Sequence, residues 1–216
     1  MACAGVSKLD YRDKVILAPM VRAGTLPLRL LALEYGADIV FTEEIIDRKI
    51  PQCTRRPNPV LGTMDYIKDG NTAFRTHPSE RDRMVFQLGT ADAVHALAAA
   101  EILAQDVSAF DINMGCPKHF SVSGGMGARL LTKPETAADI ISTLGRNLNL
   151  PVSCKIRLLE TPEKTVDFVR QMEAAGAAAI TVHCRGVNER PKDPAHWDQL
   201  APLVQAVKVP VVVNGD

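Results

Sequence analysis

Residues 109–118 read AFDINMGCPK, an apolar run that ends in a glycine, a cysteine and a proline. The aromatic and β-branched residues of the run are typical of a buried strand, and the turn residues behind them mark its end. Cys116 lies between Gly115 and Pro117. The sequence therefore predicts a strand over residues 109–114, with the cysteine on a tight, preformed loop at the strand exit.

Six further runs of the same kind occur along the chain, and helical patterns separate most of them. The seven predicted strands are residues 15–20, 39–43, 84–89, 109–114, 151–157, 178–185 and 209–215. Strands that alternate with helices are typical of a parallel sheet joined by crossovers, which places the chain in the α/β class.

Four helix boundaries are legible in the intervals between these strands. Thr132-x-x-Glu135 has the spacing of a capping box, and Thr161 precedes a proline at a first helical position. Gly36 and Gly176 are predicted to end the helices that lead into the second and sixth strands.

The unusual residues of each strand stand at its C-terminal end. In chain order they are Met20, Glu43, Gln87, Asn113 with Cys116, Lys155 with Arg157, His183 with Arg185, and Asn214. A TIM barrel collects function at the C-terminal ends of successive strands, whereas an open sheet concentrates it at one switch point. We therefore expect a TIM (β/α)8 barrel that is incomplete: seven strands are read, the eighth is missing, and strands one and seven form unpaired edges.

Residues 45–83 are too long for a single crossover and form a predicted insertion. Two short strand patterns flank a Lys68-Asp69-Gly70-Asn71 turn, which indicates a β-hairpin. The basic residues of the insertion are Arg48, Lys49, Arg55, Arg56, Lys68, Arg75, Arg81 and Arg83. A solvated excursion and an RNA-facing surface both fit this composition, because acidic residues dilute the positive charge.

Composition excludes several classes of protein. The chain has 216 residues, 46% of them apolar, and its 25 basic residues balance its 25 acidic ones. The five cysteines include no C-x-x-C pair, so reduced thiols are expected instead of a disulfide framework or a zinc site, and no metal is predicted. No apolar run is long enough for a signal peptide or a membrane span. These features predict a soluble, cytoplasmic protein.

Cys116 has the chemistry of a proton donor. A thiol with an ordinary pKa of about 8.5 is largely protonated at pH 7, which suits an acid better than a nucleophile. By position alone, a buried structural cysteine is the alternative.

Several motifs taken together resemble the tRNA-dihydrouridine synthase family. These are LAPMV from residue 17, NMGCP from residue 113, GGMGARLL from residue 124, CKIR from residue 154, VHCR from residue 182, and NGD from residue 214. Order and spacing agree over essentially the whole chain, most closely with the eukaryotic enzymes that act on the D-loop of cytoplasmic tRNA. The glycines of residues 124–127 fit either a phosphate cradle or close packing of the backbone.

The resemblance implies a flavin-binding catalytic barrel over residues 1–216 that is C-terminally truncated, so the family's helical RNA-binding domain is absent. It implies FMN as cofactor, NADPH as reductant and tRNA as substrate. The flavin N5 would deliver a hydride to C6 of a uridine, and Cys116 a proton to C5. The residues expected to bind the cofactor are Pro19, Met20, Val21, Glu43, Gln87, Lys155, His183, Asn214, Gly215 and Asp216. Those expected to hold the uridine are Asn113, Arg157 and Arg185.

Two alternatives stay open from the sequence. One is a flavin barrel that acts on a free pyrimidine, in the manner of dihydroorotate dehydrogenase. The other is an inactive truncated product that binds RNA or a partner. The oligomeric state is not predicted.

Overall fold

Seven parallel strands make up one curled sheet in the computed structural model, which describes residues 9–216. The strands are β1 (Ile16–Leu17), β2 (Ile39–Phe41), β3 (Ile45–Ile46), β4 (Thr54–Asn58), β5 (Thr63–Lys68), β6 (Asn71–Thr76), β7 (Met84–Gly89), β8 (Ala109–Met114), β9 (Val152–Leu158), β10 (Ile180–Gly186) and β11 (Val211–Asn214). The helices are α1 (Leu26–Glu34), α2 (Ala93–Leu103), α3 (His119–Val122), α4 (Pro134–Asn147), α5 (Pro162–Ala174) and α6 (Leu200–Ala206).

The order of strands in this sheet is β1-β2-β7-β8-β9-β10-β11, and short β3 also pairs with β7. Within residues 9–216, β1 pairs only with β2 and β11 only with β10, so the sheet does not close on itself. The sheet is thus an incomplete TIM barrel, which confirms the predicted fold class and its two open edges.

The sheet is covered on both faces, as a parallel sheet requires. Its outer face packs against the helices through fully buried side chains such as Phe86, Ile112 and Val182. Its inner face holds a smaller apolar cluster, which consists of Tyr11, Ile39, Phe41, Val85, Ala109 and Ala179. Burial of both faces explains why the barrel strands read as continuous apolar runs.

Three of the four predicted helix ends are confirmed. Thr161 accepts a hydrogen bond from the backbone N–H of Lys164 and caps α5. Gly36 and Gly176 have φ values of +97° and +100° behind α1 and α5, a conformation that favours glycine. The capping box at Thr132 is wrong, because a 3₁₀ helix over Gly127–Thr132 absorbs this residue and its hydroxyl bonds to a carbonyl within it.

The insertion carries a separate antiparallel sheet of β4, β5 and β6. The predicted hairpin is confirmed as β5 and β6, with Asp69 and Gly70 at positive φ in the turn. Strand β4 was not predicted, because its sequence TRRPN is polar and contains Pro57. An exposed edge strand tolerates both features, because only one of its two sides forms hydrogen bonds with a neighbouring strand.

The ends of some barrel strands differ from the prediction. The first strand is only Ile16–Leu17 and the second only Ile39–Phe41, because the residues beyond them already belong to loops. Strands β9 and β10 continue past their predicted ends, so Lys155 and His183 lie within strands and not at their ends. The predictions for residues 1–8, including Cys3, lie outside the described part of the chain.

Candidate active site

Polar residues at the C-terminal half of the sheet lie in three rows across neighbouring strands. In each row the Cα atoms are direct partners in the parallel ladder, so the side chains point to the same face. The rows are Gln87 with Asp111 and Ser153; Asn113 with Lys155 and Thr181; and Arg157 with His183 and Asn214. Six of the predicted site residues therefore share the inner face of the half-barrel.

Asp111 anchors the deepest row. It is fully buried and accepts hydrogen bonds from Gln87 Nε2 at 2.8 Å and from Ser153 Oγ at 2.7 Å. Burial raises the pKa of Asp111 to about 6. The two hydrogen bonds act in the opposite direction and keep the pKa from rising further. Tyr11 closes the row from below, because its hydroxyl donates to Ser153 Oγ at 3.4 Å.

Asn113 holds the loop that carries Cys116. Its Oδ1 accepts from the backbone N–H of Gly115 at 3.0 Å and of Cys116 at 2.9 Å. Its Nδ2 donates to Gln87 Oε1 at 3.2 Å. A continuous chain of hydrogen bonds thus runs from Asp111 through Gln87 and Asn113 to the cysteine loop, and each amide is fixed in one orientation by its partners.

The glycine-rich segment packs directly on the cysteine loop. Gly127 has φ +57°, and a Cβ on it would overlap Cys116 O and Ser121 Oγ. The backbone N–H of Ala128 donates to Cys116 O at 2.9 Å. Of the two interpretations of residues 124–127, this geometry favours close packing, because the glycine is needed to let two segments of backbone meet.

The middle of the inner face carries the positive charge of Lys155, which the charge of nearby Asp111 favours. Lys155 forms no salt bridge with the described residues, and burial lowers its pKa to about 8. Burial also lowers the pKa of His183 to about 4, helped by the positive charges of Lys155, Arg157 and Arg185. His183 is therefore a neutral imidazole at pH 7, and its Nε2 faces Arg185 Nη1 at 3.3 Å.

The two arginines predicted to hold the uridine are both engaged with protein groups. Arg157 donates to the carbonyl of Gly186 at 2.9 Å. Arg185 is buried, donates to the carbonyl of Asp193 at 2.6 Å and forms an ion pair with Asp216. Their role toward a substrate stays a prediction.

The predicted cofactor residues of the first two strands lie in adjoining loops. Met20 and Val21 are 39% and 49% exposed, and Glu43 is half-buried. The two loops touch at Gly24, where an added Cβ would come within 2.8 Å of Glu43 N. Gly24 N also donates to Met20 O at 2.8 Å, so the loop behind β1 is closed by its own backbone.

A cavity of about 310 Å³ opens between β1 and β11, at the seam of the half-barrel. Its lining includes Pro19, Phe41, Thr181 and Asn214. Two predicted cofactor residues from opposite ends of the chain, Pro19 and Asn214, thus share one cavity. The remaining predicted residues at this end, Gly215 and Asp216, follow β11 directly, and Asp216 Oδ2 accepts from the backbone of Ala195 at 2.9 Å.

Cys116 is half-buried on the loop behind β8. Burial raises the pKa of its thiol, and the nearby carboxyl of Glu44 raises it further. The backbone N–H of Lys118 and the hydroxyl of Ser121 act in the opposite direction. The thiol is therefore protonated at neutral pH, as a proton donor requires.

Ion pairs neutralise part of the positive charge of the insertion. Arg55 binds Asp106 at 2.7 Å and Arg75 binds Asp65 at 2.5 Å. Arg56 and Arg83 remain exposed. The charge available for an RNA surface is thus smaller than the count of basic residues indicates.

Sequence reasoning missed four residues of this site. Asp111 and Ser153 stand within apolar strands, and their only signal is that each lies two positions before a predicted site residue, on the same strand face. Glu44 and Ser121 approach Cys116 from other segments, for which no local pattern exists.

None of the helices in residues 9–216 is both long enough and apolar enough to cross a membrane. Over the same residues, no three His, Cys, Asp or Glu side chains gather as a metal ion would require. Cys53, Cys116, Cys154 and Cys184 are free thiols.

Comparison with known proteins gives one family. The family model described as dihydrouridine synthase matches residues 16–216. The chain is 43% identical to a tRNA-dihydrouridine(20) synthase (NAD(P)+) of Saccharomyces cerevisiae, over 96% of the chain and 58% of the relative. It is 44% identical to the protein of the same name in Schizosaccharomyces pombe, over 96% of the chain and 46% of the relative.

A human protein named tRNA-dihydrouridine(20a/20b) synthase (NAD(P)+)-like is 30% identical, over 93% of the chain and 60% of the relative. The chain therefore spans about half the length of the curated relatives that it matches.

Proposed function

The chain belongs to the dihydrouridine synthase family, and we propose that it is the catalytic barrel of an enzyme that reduces a uridine of the tRNA D-loop to 5,6-dihydrouridine. We infer FMN as the cofactor and NADPH as the reductant. The relatives in the two yeasts carry tRNA, dihydrouridine and NAD(P)+ in their names, which supports this assignment. The observation that supports it most is a strand face that carries Gln87, Lys155 and His183, with a protonated Cys116 on the loop that Asn113 of the same face holds.

The donor set of the inner face fits a flavin. Lys155 supplies a positive charge that forms no salt bridge with any described residue, which suits the electron-rich edge of a reduced isoalloxazine. Gln87 and neutral His183 supply hydrogen-bonding groups on the same face. When bound, FMN would supply the hydride that saturates C6 of the uracil ring.

Cys116 would complete the reduction by donating the proton of its Sγ to C5. The hydrogen bonds from its loop to Asn113 and the packing of Gly127 against its carbonyl hold the backbone that carries the thiol in one place. Such positioning lowers the barrier of a proton transfer because the donor needs no further ordering.

The substrate must leave its base stack to reach this face. A uracil that is stacked within folded tRNA cannot enter the interior of a barrel, so the nucleotide would be flipped out. Arg157 carries positive charge at the C-terminal end of β9, where it would favour a phosphate beside a flipped nucleotide.

The test measures flavin binding and dihydrouridine formation separately. The purified chain is loaded with FMN, and its flavin absorption, its reduction by NADPH and its activity on unmodified tRNA are recorded. We expect Cys116→Ala to retain FMN and its reduction but to lose dihydrouridine formation. A Cys116→Ala protein with full turnover would refute the role of the thiol.

Free uracil and dihydroorotate serve as control substrates for the alternative flavin barrel. Activity on either of them without tRNA would contradict the proposed substrate. A chain that binds no FMN under saturating conditions would contradict the proposed cofactor.

A further inference from the structure

Glu44 and Ser121 form a buried polar cluster beside Cys116 that the proposed reaction has not used. Glu44 is 8% exposed and Ser121 is fully buried. Ser121 Oγ donates to Glu44 Oε1 at 2.9 Å. Glu44 Oε2 is buried and has no hydrogen-bond partner among the described residues. A buried oxygen of this kind costs folding free energy, so its retention calls for a functional reason.

The cluster is built from three separate segments. Glu44 lies between β2 and β3, Cys116 follows β8, and Ser121 is in α3. Gly89 closes the far side, because a Cβ there would come within 2.8 Å of Glu44 Oε1. The carboxyl is thus enclosed, and it lies close enough to Cys116 to raise the pKa of the thiol.

We propose that Glu44 is a positioning residue for the proton donor: its carboxylate, held by Ser121, keeps Cys116 in the thiol form until the substrate takes the proton. The inference rests on the proposed function, since only an acid needs its proton retained. A nucleophilic cysteine has the opposite requirement and is placed beside positive charge, which favours the thiolate.

The charges around the thiol show why a carboxylate is needed. Lys155 and Arg157 are the cations that face Cys116, and the Lys118 N–H and the Ser121 hydroxyl also favour its thiolate. Burial and the charge of Glu44 act against them, and the pKa of Cys116 is raised as a result. Without the carboxylate, burial alone would raise the pKa of the thiol against the effect of the cations.

The experiment measures the ionisation of Cys116 directly. The full chain is alkylated with iodoacetamide between about pH 6 and pH 10, and the rate at the peptide that contains Cys116 is followed by mass spectrometry. Glu44→Gln preserves the size of the side chain and removes its charge. We expect the midpoint of the pH profile to fall by about 1, which corresponds to about tenfold more thiolate below the midpoint.

A matched control makes the test specific. Glu101→Gln makes the same substitution at an exposed position of α2 and should leave the midpoint unchanged. A midpoint in Glu44→Gln equal to that of Glu101→Gln overturns the inference, and so does an upward shift in Glu44→Gln.

Alkylation requires neither flavin nor tRNA, so its outcome is independent of the proposed function. If the chain forms dihydrouridine, the basic limb of its pH profile should shift downward in Glu44→Gln by the same amount as the alkylation midpoint. If no protein forms dihydrouridine while the midpoint shifts, the proposed function fails and the control of the thiol by Glu44 stands.

Discussion

Glu80→Gln is expected to destabilise the chain strongly, because it breaks a fully buried ion pair. Glu80 and Arg29 are 0% and 1% exposed, and Arg29 Nε and Nη2 each donate to one carboxylate oxygen at 2.8 Å. Thr76 Oγ1 donates to the same carboxylate at 2.9 Å. The pair joins α1 to the 3₁₀ helix over Pro78–Arg83, which follows β6.

The magnitude follows from what the substitution leaves behind. Glutamine removes the negative charge and presents an amide to one of the donors, so the guanidinium stays buried without its counter-charge. Removal of one partner of a buried pair costs about 3–5 kcal/mol, compared with about 5–15 kcal/mol for the whole stability of a domain. In a chain of this length, that loss corresponds to a fall in Tm of roughly 10 °C.

Urea unfolding followed by circular dichroism measures the change, and Glu160→Gln is the matched control. Glu160 pairs with Lys164 at the surface, where both side chains are more than half exposed, so its loss should leave the midpoint unchanged. Equal midpoints for Glu80→Gln and Glu160→Gln would refute the reasoning. The double variant with Arg29→Met should lose less than the sum of the two single losses, because it leaves no unpaired charge.

Four further outcomes follow from the structure. Asp111 binds its proton more tightly when folded, so the stability of the chain minus that of Asp111→Asn should fall by about 2 kcal/mol as pH rises from about 4 to about 7, through the folded pKa of about 6. Urea unfolding at each pH measures this difference, and a difference that does not change with pH would contradict the reasoning. Thr161→Ala removes the cap of α5 and should cost about 1 kcal/mol in the same assay. Lys155→Ala should weaken FMN retention, measured by absorbance after gel filtration, and unchanged flavin content would contradict its role. Asn113→Ala releases the cysteine loop and should lower dihydrouridine formation about 100-fold with the circular dichroism spectrum retained.

The barrel was predictable because its signals are local. Each strand is an apolar run buried on both faces, so β7 and β8 were placed with correct ends from the sequence alone. The cap at Thr161 and the glycines that follow two helices depend on a few adjacent residues in the same way. The capping box predicted at Thr132 shows the limit of such signals. The hydroxyl of Thr132 donates to the carbonyl of Arg129 in the preceding 3₁₀ helix and does not cap α4.

The partners within the site were not predictable, because they depend on pairing between strands. Gln87 and Asp111 are 24 positions apart, and only the register of β7 against β8 makes them neighbours. Glu44 and Ser121 are 77 positions apart and belong to no common strand pair. Predicting these contacts requires the register of the sheet and the path of each loop, which apolar periodicity does not contain.

The hydrogen bonds of Asn113 within the protein also restrict the predicted contact between this residue and the uracil. Asn113 Oδ1 already accepts from two backbone N–H groups, and its Nδ2 gives one of its two hydrogens to Gln87. One N–H is left, and a backbone donor cannot bond to an amide nitrogen, so the side chain cannot turn over. Any hydrogen bond from this amide to the substrate would therefore be donated, which selects a carbonyl of the uracil and leaves its N3–H to another residue.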